Sequence, residues 1–197
     1  MKYLTFLLTL TPVIIASTLY EQPYEYANLA YGMYMEGPEW ILADNFTLTE
    51  EATVQSITIW LVNTGSGHPY DVALRILEND GGNLGTEVWS ETVPASYQTE
   101  TLTGDQQWGY DLYKNDFQLQ NYPTLPAGEY WLSSSVLGAP APVAWLCCAP
   151  TYPPTMWQYW SGSGGVWNTI NCDGWFGLYD SDVSLARASW GSIKTAF

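Results

Sequence analysis

The stretch TVQSITIWLV, residues 53–62, decides the predicted fold because apolar and polar side chains alternate along it. In an extended chain the aliphatic side chains of Ile57, Ile59 and Leu61 share one face. Successive side chains of a β-strand point to opposite sides of a sheet, so a period of two predicts a strand with one buried face. The segment YDVALRIL, residues 70–77, repeats the pattern and predicts a second strand of the same kind.

Short alternating or aromatic-rich runs continue along the whole chain and are separated by turns. They lie at residues 40–47, 86–93, 108–119, 126–136, 143–147, 156–160, 175–179 and 182–188. The strongest turn signal is ENDGGNLG, residues 78–85, because glycine and asparagine tolerate the backbone of a tight hairpin. We therefore predict an all-β, jelly-roll-like antiparallel β-sandwich of about nine or ten strands.

The leader MKYLTFLLTLTPVIIAS, residues 1–17, places one lysine before an apolar run that ends on small residues. This order is typical of a secretory signal peptide, and we expect its removal near Ala16 or Ser17. The apolar run is too short to span a bilayer comfortably, so no membrane span is expected in the mature chain. The alternative is that the segment is retained and buries its apolar surface, for example in a neighbouring subunit.

The remaining chain is predicted to contain one folded domain. Residues 18–39 are polar and aromatic, and we expect them to wrap the sandwich as an N-terminal arm. Residues 40–188 carry the alternating runs and form the β-sandwich domain. Residues 189–197, SWGSIKTAF, form a C-terminal tail.

The charge balance narrows the classes of partner. Acidic residues outnumber basic residues by 20 to 5, which leaves a formal net charge of −15. Such a surface repels the phosphate backbone of nucleic acids and the anionic headgroups of membranes. Neutral polymers such as glycans, other proteins and divalent cations remain compatible, and a strongly acidic surface also keeps an exported protein soluble.

The three cysteines, Cys147, Cys148 and Cys172, predict one disulfide in an exported chain. We expect Cys172 to bridge either Cys147 or Cys148, since adjacent cysteines rarely bridge each other. A loop of roughly 25 residues would then be closed, which stabilises a fold by about 3 kcal/mol in the chain-entropy model. If one disulfide forms, the third cysteine pairs with a cysteine of another chain or stays reduced. The alternatives to a disulfide are that all three cysteines are free thiols or that they contribute to a metal site.

Candidate catalytic groups are sparse. The only histidine, His68, lies in a loop pattern without a nucleophile motif nearby. Glu129 and Asp173 are candidate acids for glycoside hydrolysis, but no sequence pattern pairs them. The acidic turns at residues 79–83 and 180–182 offer oxygen ligands without the spacing of an EF-hand. We therefore predict no enzyme and no required cofactor, with Ca²⁺ as the one alternative.

The most suggestive feature is a concentration of aromatic residues late in the chain. The candidate binding residues are Trp145, Tyr152, Trp157, Tyr159, Trp160, Trp167 and Trp175. Aromatic rings in glycine- and serine-rich surroundings stack on sugars or on a partner protein. The alternative is that they fill and cap the sandwich, because strands favour aromatic residues in any case.

Five short motifs of the chain resemble a diffuse group of exported bacterial β-sandwich surface proteins. They are LYEQP (19–23), ADNFTL (43–48), VQSITIW (54–60), LPAGEYWLS (125–133) and DVSLARA (182–188). The resemblance implies a sandwich fold and an extracellular or cell-surface location, in a group whose members mostly lack assigned activities. The chain departs from the group in lacking a sorting tail and in having Asn45 where a second aspartate is usual.

We accordingly predict a non-enzymatic, secreted structural or cell-surface protein. Its expected partners are other copies of itself, surface proteins or glycans, and it would be a subunit of an extracellular filament or layer that assembles by strand exchange. The N-terminal segment or residues 189–197 would supply the exchanged strand. The alternative is a carbohydrate-binding or adhesion module that uses the tryptophan- and tyrosine-rich surface.

Overall fold

The computed structural model describes residues 17–37, 39–63, 70–138, 143–148, 156–160 and 165–181. Within these ranges the chain forms sixteen β-strands and two short 3-10 turns, Tyr26–Asn28 and Ala95–Tyr97. The strands are β1 Thr18–Gln22, β2 Leu29–Tyr34, β3 Glu36–Gly37, β4 Trp40–Leu48, β5 Ala52–Thr53, β6 Ser56–Asn63, β7 Asp71–Asp80, β8 Asn83–Val93, β9 Gln98–Gln107, β10 Tyr110–Gln118, β11 Thr124–Leu125, β12 Gly128–Leu137, β13 Val143–Cys148, β14 Met156–Trp160, β15 Val166–Ile170 and β16 Phe176–Tyr179. None of these residues belongs to a helix long and apolar enough to cross a membrane.

The first sheet has seven strands and is centred on β6. One side of β6 pairs with β10, which in turn pairs with the edge strand β9. The other side pairs with two strands in succession, β16 along residues 56–59 and β13 along residues 61–63. Beyond them, β1 pairs with β16 and β2 pairs with β13. The predicted N-terminal arm therefore forms one edge of this antiparallel sheet.

The second sheet also has seven strands, in the order β15-β14-β4-β12-β7-β8, with β3 joined in parallel to one end of β12. The short strands β5 and β11 form a separate pair. The chain passes directly from one sheet to the other after β2, β6, β8, β12, β13 and β15, and it also changes sheet by way of β5 and of β11. The pairs β7–β8 and β9–β10 are hairpins within one sheet. Repeated crossing of this kind is typical of jelly-roll-like sandwiches.

A single large core lies between the two sheets. It contains the predicted inward faces of two strands, namely Ile57, Ile59, Leu61, Val72, Leu74 and Ile76, all at most 1% exposed. The prediction of an antiparallel all-β sandwich is therefore confirmed. The predicted number of strands was too low because several strands of two to six residues, such as β3 and β5, are too short to show an alternating pattern.

The second face of β6 is buried as well, which the alternation along its sequence does not indicate. Thr58 is inaccessible to solvent and Trp60 is only 7% exposed. The N-terminal arm crosses this face, and Tyr24 lies parallel to Trp60 with ring centroids 6.2 Å apart. The arm therefore removes from solvent a face that an uncovered sandwich would expose.

Three parts of the predicted domain division fall outside the described residues. These are the leader up to residue 16, the strand predicted at residues 182–188 and the tail at residues 189–197. Their roles stay predictions.

Candidate functional site

The first candidate interaction surface is the outer face of the first sheet beneath the N-terminal arm. A second apolar cluster lies there, apart from the core between the sheets. Its buried members, which we call the arm seat, are Trp60, Val62, Leu112, Ala144, Leu146 and Trp175. Tyr24 and Leu29 of the arm pack against them. The arm seat is therefore an apolar surface that the arm covers with Tyr24 and Leu29.

Side chains and backbone both hold the arm on this seat. The Tyr24 ring meets Trp175 edge-on at 4.8 Å, and its hydroxyl donates a hydrogen bond of 2.8 Å to Asp105 Oδ2. Burial, followed by this bond, raises the pKa of Tyr24 above its usual value, so the phenol keeps the proton that it donates. The Tyr26 hydroxyl donates to the Gln106 carbonyl at 2.8 Å. Two tyrosines thus tie the middle of the arm to the end of β9.

The second candidate surface is a row of aromatic rings on the outer face of the second sheet. Met156 points into the core, so Trp157 and Tyr159, its alternate neighbours on β14, point outward. Tyr159 packs against Trp167 of β15 with ring centroids 5.6 Å apart. Trp157 meets Trp131 of β12 edge-on at 6.5 Å. Half-buried rings aligned on a sheet face form a suitable platform for a flat ligand.

The structure divides the seven predicted binding residues into separate groups. Trp145 and Trp175 are 0% and 2% exposed, so the alternative interpretation, core and cap packing, applies to these two and they cannot contact an external ligand. Trp157, Tyr159 and Trp167 are half-buried and lie together in the aromatic row. Tyr152 and the side chain of Trp160 lie outside the described part of the chain. Trp131, which was not among the predicted binding residues, packs beside Trp157 but is only 2% exposed, so it supports the row and cannot itself contact an external ligand.

Asp44 and Asp173 are buried acids close to each other. Asp44 is 1% exposed, and its carboxylate accepts the backbone N–H of Gly174 at 2.5 Å and of Asn45 at 2.8 Å. Burial raises the pKa of Asp44 well above its usual range, and the neighbouring Asp173 raises it further. Asp44 therefore anchors residues 172–174 to β4. The sequence could not reveal this contact because its two partners are 130 residues apart.

The two acids considered for hydrolysis lie in different surroundings. Asp173 is buried beside Asp44, whereas Glu129 lines an open cleft with Glu78 and Asp80. Asn79 serves the turn at this cleft, because its side chain accepts the Gly82 N–H at 2.6 Å and donates to Glu129 at 3.0 Å. Within the described ranges, no three acidic, histidine or cysteine side chains are grouped to hold a metal ion. His68 lies outside these ranges.

The described cysteine side chains show no disulfide between Cys147 and Cys172, so the first of the two predicted pairings is absent. Both side chains are buried, and the Cys172 thiol contacts the Met156 sulfur at 3.4 Å. The side chain of Cys148 is not among those described. The pairing of Cys172 with Cys148 thus stays a prediction.

Acidic residues outnumber basic residues in the described part of the chain, as they do in the whole sequence. Their two basic residues are Arg75 and Lys114, and each is close to an acid. Arg75 Nε lies 3.7 Å from a Glu87 oxygen, and Lys114 Nζ lies 2.8 Å from Asp116 Oδ1. No basic patch for a polyanion is present in this part of the chain.

Comparison with known proteins adds no family to this geometry. No protein-family model matches the chain, and no curated protein matches it in sequence.

Proposed function

We propose that this protein is a secreted, non-enzymatic structural subunit that assembles with copies of itself by exchanging its N-terminal arm. The observation that supports the proposal is that the arm contributes two edge strands, β1 and β2, and covers the arm seat with Tyr24 and Leu29. An arm from a second copy could make the same backbone pairs with β16 and β13 and the same contacts with the arm seat. Exchange of an identical element costs little because no contact is lost.

The connection between the arm and β4 is the hinge at which the exchange would occur. The arm is joined to β4 through residues 35–39, which begin with Met35 of the main core. Leu19, Tyr20 and Met33 of the arm also pack against that core, so an exchanged arm must make these contacts in the neighbour as well. Straightening of this connection would deliver the arm to a neighbour instead of to its own sheet. A neighbour that receives one arm and donates its own extends the assembly, so a filament or layer is the expected product.

A cross-linking experiment tests the exchange directly. Tyr26 of the arm bonds to the backbone of Gln106, so cysteines at these two positions are within reach of a short bismaleimide. Copies carrying Tyr26→Cys and copies carrying Gln106→Cys are mixed while denatured and are then allowed to assemble together. The bismaleimide is added after assembly. Covalent dimers are expected between the two populations. A variant that carries both cysteines is assembled alone for comparison. Cross-links within single copies of this variant, with none between the two single variants, would contradict arm exchange.

Two controls accompany this experiment. The parent chain, treated with the same reagent, measures any reaction of the native cysteines. Native material is also examined by negative-stain microscopy and light scattering, and it should contain assemblies larger than monomers. A protein that stays monomeric at all concentrations would contradict the structural role itself.

A second candidate function, glycan binding, is favoured by the aromatic row on the second sheet. Trp157, Tyr159 and Trp167 present half-buried rings on one face, an arrangement that suits stacking on sugar rings. The Trp157→Ala and Trp167→Ala variants should lose retention on insoluble polysaccharides such as cellulose or chitin. Trp108→Ala is the matched control, because Trp108 is 52% exposed and lies outside the row. Equal retention of all three variants would eliminate this candidate.

A further inference from the structure

The first described residue of the chain makes a reciprocal contact with the end of β16. The backbone N–H of Ser17 donates a hydrogen bond of 2.8 Å to Asp180 Oδ1. The backbone N–H of Asp180 donates in return to the Ser17 carbonyl at 3.2 Å. The second bond extends the β1–β16 backbone pairing by one residue beyond Thr18 and Tyr179, and the first adds a contact to the Asp180 side chain. The nitrogen of Ser17 thus lies against a carboxylate.

The sequence places the end of a leader at the same point. Residues 1–16 consist of one lysine, an apolar run and a terminal alanine. Leader peptidases read the unfolded chain and favour small residues at the last and third-last positions before the cut. Ala16 supplies the last one, whereas Ile14 at the third-last position is larger. A cut one residue later would remove Ser17 and with it both hydrogen bonds to Asp180. A cut one or more residues earlier would leave the Ser17 nitrogen as an uncharged peptide N–H.

We infer that the chain is processed between Ala16 and Ser17 and that the new amino terminus of Ser17 forms an ion pair with Asp180. A leader peptidase hydrolyses the peptide bond with one water molecule, which leaves a carboxylate on Ala16 and an ammonium group on Ser17. The Ser17 nitrogen, which is an uncharged amide donor to the Asp180 carboxylate in the uncut chain, then carries a positive charge. Hydrogen bonds between charged partners are shorter and stronger than neutral ones.

The ion pair formed by this processing would stabilise the pairing of β1 with β16. Asp180 follows β16 directly, and the next residue, Ser181, accepts a hydrogen bond of 2.6 Å from the Ser56 hydroxyl at the start of β6. The pair therefore links the amino terminus to a segment that is itself tied to the centre of the sheet. The inference rests on the proposed export, but it does not depend on whether the arm lies on its own copy or on a neighbour.

Sequencing of the amino terminus of the exported protein tests the cleavage. The full chain is produced in a secreting host, and the protein recovered outside the cells is analysed by Edman degradation and intact mass. A first residue of Ser17 supports the inference. An exported protein that begins at any other residue overturns the inference and leaves export intact. Full-length chain retained inside the cells overturns the proposed export and the inference together.

A comparison of matched variants tests the ion pair. Protein beginning at Ser17 is prepared with its amino group either unmodified or acetylated, since acetylation keeps the N–H donor and removes the charge. Asp180→Asn should lower the folding equilibrium constant about threefold more in the unmodified protein than in the acetylated one, the scale of an exposed ion pair. This difference should disappear in 1 M salt. Asp80→Asn, at an exposed acid that ends β7 in the second sheet, should show no such difference. Equal effects of Asp180→Asn in both forms would overturn the ion pair.

Discussion

Replacement of Gly174 by alanine should create a steric conflict with one identified side chain. A Cβ atom at position 174 would lie 2.8 Å from both Cε2 and Nε1 of Trp145 and 3.1 Å from its Cζ2. Neither partner can move easily. The Gly174 N–H is bound to Asp44 at 2.5 Å, and Trp145 Nε1 donates to the Trp175 carbonyl at 3.0 Å. The conflict must therefore appear as lost stability.

The expected magnitudes follow from the atoms involved. Overpacking of a well-filled core costs about 1–3 kcal/mol, so we expect Gly174→Ala to lower the free energy of unfolding by about 2 kcal/mol. Trp145→Phe removes the indole nitrogen and the atoms near position 174, and it should cost about 2–3 kcal/mol through the lost hydrogen bond and the lost volume. The double variant should cost about 1–2 kcal/mol less than the sum, because the smaller ring leaves space for the new methyl group.

Urea unfolding followed by far-ultraviolet circular dichroism measures these values without relying on the fluorescence of the altered tryptophan. Gly128→Ala is the matched control, since a Cβ there meets Tyr130 only at an ordinary distance of 3.4 Å. Two results would refute the reasoning. One is a Gly174→Ala variant as stable as the parent, and the other is a double variant whose loss equals the sum of the single losses.

Three further predictions test the acid pair, the arm and the outer face of the first sheet. Because the pKa of Asp44 is raised in the folded state, its contribution to stability is present at acid pH, below the unfolded pKa, and is lost as pH rises through the folded pKa. The parent should therefore lose stability relative to Asp44→Asn as pH rises, by up to about 1.4 kcal/mol per pH unit, in urea titrations at several pH values; a pH-independent difference would contradict this. Tyr24→Ala should lower the free energy of unfolding by about 2 kcal/mol and shift the tryptophan emission to the red, because it uncovers Trp60. Tyr24→Phe should lower it by about 1 kcal/mol without the shift, because only the hydroxyl is lost. Equal emission spectra for the two variants would count against the arm contact. Lys114→Met should lower the free energy of unfolding by about 3 kcal/mol, because it leaves the buried carboxylate of Asp116 without its cation. Thermal unfolding measures this loss, and an unchanged melting temperature would show that the ion pair does not stabilise the fold.

The local pattern of the sequence was sufficient for the class of fold. The alternation in residues 53–62 and 70–77 placed the core faces of β6 and β7 correctly, because a strand allows only two directions for a side chain. The turn at residues 78–85 was equally clear, since Gly81 and Gly82 adopt the positive φ that other residues avoid. Both signals lie within a few residues of chain and require no knowledge of distant partners.

The candidate surfaces depended on contacts between distant parts of the chain. The sequence by itself determined the alternating strands, the acidic charge and a leader-like start, which are properties of composition and short-range order. Only the tertiary structure decided that Trp145 and Trp175 are buried while Trp157 and Trp167 lie on an outer face. It also placed Tyr24 over Trp60, 36 positions further along the chain. The reason is that burial of an aromatic ring depends on what covers its face of the sheet, and the covering element is set by how the strands pair rather than by the ring's neighbours in sequence.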